Sequence, residues 1–116
     1  MNANKFFKSF MYAFEGIRTA LNQQNMKVHF ISAVIVIIAG LLTRLSTLEW
    51  CVILIVIAAI ISLEMVNTAI EAIVDLASPQ IHPLAKIAKD VGAGAVLVFA
   101  IASVIIGGLI FLPKWF

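Results

Sequence analysis

Residues 48–77 read LEWCVILIVIAAIISLEMVNTAIEAIVDLA, and the parsing of this stretch decides the fold. Its first half holds 14 uncharged residues, Trp50 to Leu63, between Glu49 and Glu64. Taken alone, that length suits a helix buried in a soluble core, because a bilayer span needs about 20 apolar residues. Nothing stops the helix at Glu64, however. No Gly or Pro interrupts the chain before Ala77, and the polar residues that follow fall at helical spacing. At 100° per residue, Glu64, Glu71 and Asp75 project at 0°, about −20° and about +20°, with Asn67 near −60°. The stretch therefore predicts one helix whose first half is apolar throughout and whose last three turns carry four polar side chains on one face. That face climbs about 16 Å, from inside the bilayer at Glu64 to its boundary at Asp75.

Outward from this helix, the punctuation supports two more spans. Ser78-Pro79 and His82-Pro83 bracket a short connector, since proline disfavours helix before it and suits the first turn of the next. On the other side, Ser46 and Thr47 supply capping residues, making 44–47 a tight turn. The uncharged runs Val28–Thr43 and Val91–Pro113 belong to these flanking helices, and the first, at 16 residues, spans about 24 Å and needs its ends, His29 and Arg44, in the interface. Before them, Phe6, Phe7, Phe10, Phe14, Ile17 and Leu21 recur at spacings of three and four among polar residues. That is an amphipathic helix, with its stripe either in the headgroup boundary or packed on the spans. The expected fold is all-α and integral to a membrane, one domain over 1–116, with a surface helix at about 4–25 and transmembrane helices at about 28–45, 48–77 and 83–112.

The whole composition agrees. Of 116 residues, 63% are hydrophobic and 12% charged, against about a quarter charged in an average soluble domain. Fourteen charges cannot clothe a water-facing surface. The net charge of +2 is too small to argue for nucleic acid, and the single cysteine, Cys51, offers neither a disulfide framework nor a Cys/His metal cluster. The first 27 residues contain Lys5, Lys8, Arg18 and Lys27 and no continuous apolar core of a signal peptide. With three spans, six basic residues (those four, Lys86 and Lys89) share a side against Arg44 and Lys114, which places the N-terminus and the 77–90 connector in the cytoplasm and the C-terminus outside.

Charged side chains deep in a span cost roughly 2.5–3.5 kcal/mol each on insertion scales, so a group of them on one face invites a functional reading. Across the connector, Lys86, Lys89 and Asp90 open the next helix, beside Glu71 and Asp75 in an antiparallel pair. Hard oxygen ligands here suit Mg²⁺, which usually combines one or two carboxylates with substrate phosphates, and lysines neutralise phosphate charge. Interhelical ion pairs from Lys86 and Lys89 to Glu71 and Asp75 account for the interfacial residues equally simply. They do not account for Glu64, two turns deeper with no basic residue within a turn of its own helix, which is placed as a general base would be. Phosphate-loop and protein-kinase motifs are absent, so any nucleotide site is built from helices. Gly92-Ala93-Gly94-Ala95, with Ala85, Ala88 and Ala102, reads as a small-residue packing seam.

The run Glu64-Met-Val-Asn-Thr-Ala-Ile-Glu-Ala-Ile-Val-Asp, with Ala85-Lys-Ile-Ala-Lys-Asp90 and Gly94-Ala-Val-Leu97, closely resembles the signature of the small prokaryotic diacylglycerol kinase family. The likeness extends through His82-Pro83-Leu84, Leu48-Glu49-Trp50 and the amphipathic start, and Asp75-Leu-Ala-Ser and the Ile-Ala-Gly-Leu run at 38–41 look more like its Gram-positive undecaprenol kinase branch. The resemblance implies a homotrimer with shared sites at the cytoplasmic face of a bacterial cell membrane, phosphorylating a lipid alcohol from MgATP. By position it implies Glu64 as catalytic base, Glu71 as a metal-binding carboxylate, Asn67 as a supporting group, Lys89 as a phosphate contact, and Asp75 and Asp90, beside Lys86, lining the nucleotide region. One position departs. Where the family carries a second metal-binding glutamate on the amphipathic helix, this chain reads Gln23-Gln24-Asn25-Met26-Lys27, so Gln23 brings an amide oxygen in place of a carboxylate. Four readings stay open: an undecaprenol kinase, a diacylglycerol kinase, a family member impaired at Gln23, and a bundle that binds a proton or cation at Glu64.

Overall fold

The computed structural model describes residues 2–116, which form four helices and, among the described residues, no strand. Helix α1 (Ala3–Leu21) starts at Asn2, whose side chain accepts a hydrogen bond from the Asn4 N–H. Helix α2 (Gln24–Leu42) follows after a two-residue break, α3 (Thr47–Ala77) after a turn at 43–46, and α4 (Pro83–Trp115) after the proline connector. The strongest local signal lies at the start of α3. Ser46 Oγ accepts from the Glu49 N–H at 3.1 Å while Glu49 Oε1 accepts from the Ser46 N–H at 2.9 Å, a reciprocal capping box. At α4, His82 caps through Nδ1, which accepts from the Leu84 N–H, and Pro83 stands in the first turn, where its missing N–H forfeits nothing.

The elements differ from the expected boundaries by three residues or more at four ends. The surface helix stops at Leu21 and not 25: Asn22 and Gln23 close the last turn onto Thr19 and Ala20 carbonyls, and Gln23 turns extended (ψ 140°) to become the N-cap of α2. The helix breaks at Asn22, whose short amide side chain competes with the backbone for hydrogen bonds and which stands at the C-cap. Gln23 is thus a cap residue of the first span and not part of the amphipathic helix. The first span accordingly runs from Gln24 to Leu42, ending where Thr43 turns extended, and not from 28 to 45. Helix α4 continues past Pro113 to Trp115, because a proline this near the end forfeits a single bond of the last turn.

Packing follows a seven-residue beat. The buried positions of α2 are Met26, Ala33 and Gly40, and those of α3 include Ile53, Ile60 and Asn67. A strict period of seven keeps one stripe of each helix facing the other at a shallow crossing angle. Gly40 sets the closeness at the turn end, since a Cβ there would lie 2.7 Å from Trp50 Cη2. Helix α4 lies antiparallel against α3, and α1 touches both α2 and α3 while burying only Ala20. The small-residue seam holds in part: Gly92 is buried against α3, whereas a Cβ at Gly94 would meet open space.

Most apolar side chains remain uncovered. The aromatic stripe of α1 and, on α4, Leu97, Val98, Ile101, Val104 and Leu109 are all exposed. Helices α2, α3 and α4 are each long and apolar enough to cross a membrane. At 1.5 Å per residue the 31 residues of α3 reach about 46 Å, well beyond a hydrocarbon core of about 30 Å, so its polar end stands clear of the lipid tails. The chain is a multi-pass membrane protein.

Candidate active site

The polar face of α3 separates into three levels. Deepest is Glu64, 3% exposed, whose Oε2 lies 3.3 Å from Nε2 of His29 on α2. One turn on, Asn67 is equally buried, and its Nδ2–H donates to Glu71 Oε1 at 3.2 Å. Its Oδ1 points at the backbone of Gly92 and has no hydrogen-bond partner; a Cβ at position 92 would sit 2.5 Å from that oxygen. Gly92 is therefore the residue that lets α4 close over Asn67. Outermost, Asp75 makes an interhelical ion pair with Lys89, which Glu71 also approaches closely enough to influence, and Lys86 pairs with Asp90 one turn along α4.

Two hollows share His29 and Ala100, and Glu64 lines the first of them. A cavity of about 230 Å³ is walled by Asn25 and His29 from α2, Glu64 and Asn67 from α3, and Val96 and Ala100 from α4. His29 and Ala100 also form one end of an apolar groove of about 280 Å³ that runs between the three spans past Ile57 and Ile60 to Phe111. A separate hollow at the connector lies among Pro79, His82, Lys86 and Lys89. The buried carboxyl thus stands, with Asn25, His29 and Asn67, in a cavity otherwise walled by apolar side chains and sharing a wall with the apolar groove, and the ion pairs lie further along the same helix face.

The arrangement brings together most of the residues singled out from sequence. Glu64, Asn67 and Glu71 stand in line on α3, and Asp75, Lys86, Lys89 and Asp90 gather at the connector. The alternative of interhelical ion pairing is realised at Asp75–Lys89, while Lys86 pairs within its own helix. Gln23 stays apart: it is exposed and its side chain makes no capping hydrogen bond. Among the described residues no three His, Cys, Asp or Glu side chains converge as a cage for a metal. The donor set fits the other habit of Mg²⁺, one protein carboxylate completed by phosphate oxygens and water, with Glu71 the half-buried carboxylate and Asn67 steadying its Oε1. His29 escaped the sequence reading, which took it for an interfacial residue. Its place three residues after Met26 and four before Ala33, on the buried face of α2, is the signal that marks it.

A three-span helical membrane protein with a buried carboxyl above a lysine and carboxylate cluster is the class that fold and site define. The chain belongs to the prokaryotic diacylglycerol kinase family, whose model matches residues 11–111. It is 54% identical over 112 residues to the undecaprenol kinase of Bacillus subtilis, covering 96% of this chain and 91% of that one. It is 45% identical over 107 residues to a diacylglycerol kinase of Synechocystis, covering 90% of this chain and 61% of the relative, and 26% identical over 102 residues to the diacylglycerol kinase of Escherichia coli, covering 87% and 84%.

Proposed function

We propose that this chain is a lipid kinase that transfers the γ-phosphoryl group of ATP to a membrane lipid alcohol, with undecaprenol the acceptor and undecaprenyl phosphate the product. The observation that carries the reading is the position of Glu64, a buried carboxyl grouped with Asn25, His29 and Asn67 in a cavity that shares a wall, at His29 and Ala100, with an apolar groove. A hydroxyl on a long hydrocarbon chain is amphipathic in the same sense as that junction. The acceptor is favoured by 54% identity across nearly the whole of both chains to the undecaprenol kinase, against 45% to the Synechocystis diacylglycerol kinase.

In the reaction Glu64 accepts the proton of the lipid hydroxyl as its oxygen attacks the γ-phosphorus; the bond from that phosphorus to the β-phosphate oxygen breaks, and ADP leaves. Asn67 holds Glu71 by its Oε1 and so fixes the carboxylate that would hold Mg²⁺. A Mg²⁺ held there would supply charge neutralisation to the phosphates. Lys89, drawn from Asp75, meets the charge that develops in transfer, and Lys86, Asp75 and Asp90 border the nucleotide. Binding the alcohol from the bilayer and ATP from water requires the polar groups to gather where the two phases meet, as the length of α3 allows.

The same reading places α1 flat in the interface with its uncovered aromatic stripe toward lipid, the connector and N-terminus in the cytoplasm, the C-terminus outside a bacterial cell membrane, and three copies together with shared sites. The wide uncovered apolar surface of α4 supports a neighbour as well as lipid. A second reading has one specific observation behind it. Gln23 lies exposed at the start of α2, apart from Glu71, with an amide where the resemblance expects a carboxylate, which favours a slow or disabled metal site.

Transfer of labelled γ-phosphate from MgATP to undecaprenol and to diacylglycerol in mixed micelles, for this chain and for Gln23→Glu, tests both. Transfer to undecaprenol by the unaltered chain is the expected result, and preference for diacylglycerol would reassign the acceptor. Activity confined to Gln23→Glu would establish an impaired site. No transfer by either folded protein would leave Glu64 as a proton or cation site and overturn the kinase.

A further inference from the structure

Glu64 needs a partner that its own helix does not supply. The Thr68 hydroxyl donates to the Glu64 main-chain carbonyl and not to its carboxyl, and the Asn67 amide is committed to Glu71. What reaches the carboxyl is His29 from α2, its Nε2 at 3.3 Å from Oε2, with the two side chains 18% and 5% exposed. His29 also lines both the cavity that holds Glu64 and the apolar groove, so its ring stands beside the point where an acceptor hydroxyl would arrive.

We propose that His29 is the positioning residue for Glu64, holding one carboxyl oxygen so that the other is turned to the acceptor hydroxyl. The inference rests on the reading of Glu64 as the base. A neutral imidazole carrying its hydrogen on Nε2 donates to Oε2; Oε1 is then left free to take the hydroxyl proton, and the Nε2–H continues to donate once Glu64 is protonated. No proton has to pass to the ring. At 3.3 Å the contact is longer than a tight hydrogen bond, as catalytic contacts without substrate often are, and a small rotation of the ring aligns it. The device also explains why the partner comes from a different helix. A donor one turn away on α3 would move with Glu64, whereas a donor on α2 locks the carboxyl to the packing of α2 on α3 through Met26 and Ala33.

The test compares His29→Leu, His29→Gln and Glu64→Gln in the mixed-micelle assay, each with a thermal melt in detergent. Leucine fills the apolar space without a donor; glutamine restores an N–H near the Nε2 position. Orientation of a base accounts for part of the ~10²–10⁴-fold that positioned proton transfer contributes. His29→Leu should therefore lower kcat by about tenfold or more, change KM for acceptor and MgATP by less than about twofold, and leave the melt in place, with His29→Gln recovering most of kcat. Wild-type kcat in His29→Leu, a loss confined to KM, or a folded His29→Gln as slow as His29→Leu would each overturn the positioning role. Full turnover by Glu64→Gln would instead sink the base assignment, and the positioning role with it.

Discussion

Asn67 and Gly92 form the tightest two-residue device in the site. Because a Cβ at 92 would sit 2.5 Å from Asn67 Oδ1, Gly92→Ala must displace the asparagine and with it the donor on Glu71. We expect Gly92→Ala to lower kcat severalfold and to lower the melting temperature, whereas Gly94→Ala, where the Cβ meets open space, leaves both unchanged. Parallel assays and melts of the two variants check this pair, and equal behaviour would remove the special role of Gly92. Glu71→Gln is expected to raise the Mg²⁺ concentration for half-maximal rate by about tenfold or more, read from a Mg²⁺ titration at fixed ATP; an unchanged midpoint would mean that Glu71 is not the metal carboxylate. These residues also show what was legible in advance. Glu64, Asn67 and Glu71 stood out because they share one face of a largely apolar helix, and Glu64 most of all, because ion pairing with the lysines of the next helix explains Glu71 but not a carboxyl two turns deeper. His29 did not, since its partner is 35 positions away and a histidine near a span's end already has an ordinary interfacial explanation.

At the level of elements, α3 was readable almost to its ends because its signals are local: capping residues at Ser46 and Thr47, the first of which the structure closes into a box with Glu49, an unbroken helical pattern, and prolines beyond Ala77. Ser46→Ala removes the side-chain half of that box and should destabilise the protein by about 1 kcal/mol with kcat unaltered, measured by denaturant unfolding in micelles. A larger kcat effect would mean that the turn end communicates with the site. The break at Asn22-Gln23 was not readable in the same way. Two asparagines among four amide residues weaken a helix without saying where it divides, and the division falls just after Ala20, the residue that α1 buries. The consequence for function is direct, because Gln23 changes from a rung of the surface helix to the cap of a span.

Across the whole molecule, the distribution of basic residues carries the topology. Single cysteines placed at Gln80 and at Arg44, both exposed, in a Cys51→Ser background report it with an impermeant maleimide on right-side-out vesicles. Arg44→Cys should label from outside and Gln80→Cys only after permeabilisation; the reverse pattern would invert the chain and put the lysine cluster on the wrong side for ATP. At the opposite end from Glu64, the Trp115 indole N–H donates to Thr43 Oγ1 at 2.9 Å and Lys114 meets Glu49 at 3.0 Å, so the C-terminus is tied to the turn between α2 and α3.

The seven-residue beat of Met26, Ala33 and Gly40 against Ile53, Ile60 and Asn67 has a consequence at the level of the gene. One extra codon between Ile60 and Glu64 would turn everything beyond it by about 100°, carrying the carboxyl from His29 toward the lipid while leaving composition and hydropathy almost unchanged. The same codon inserted in the connector at 78–82 would lengthen a loop. The chain thus keeps a phase as a screw thread does, and a single-alanine insertion scan from Cys51 to Pro83 should map it as loss of activity that begins inside α3 and ends abruptly at Ser78.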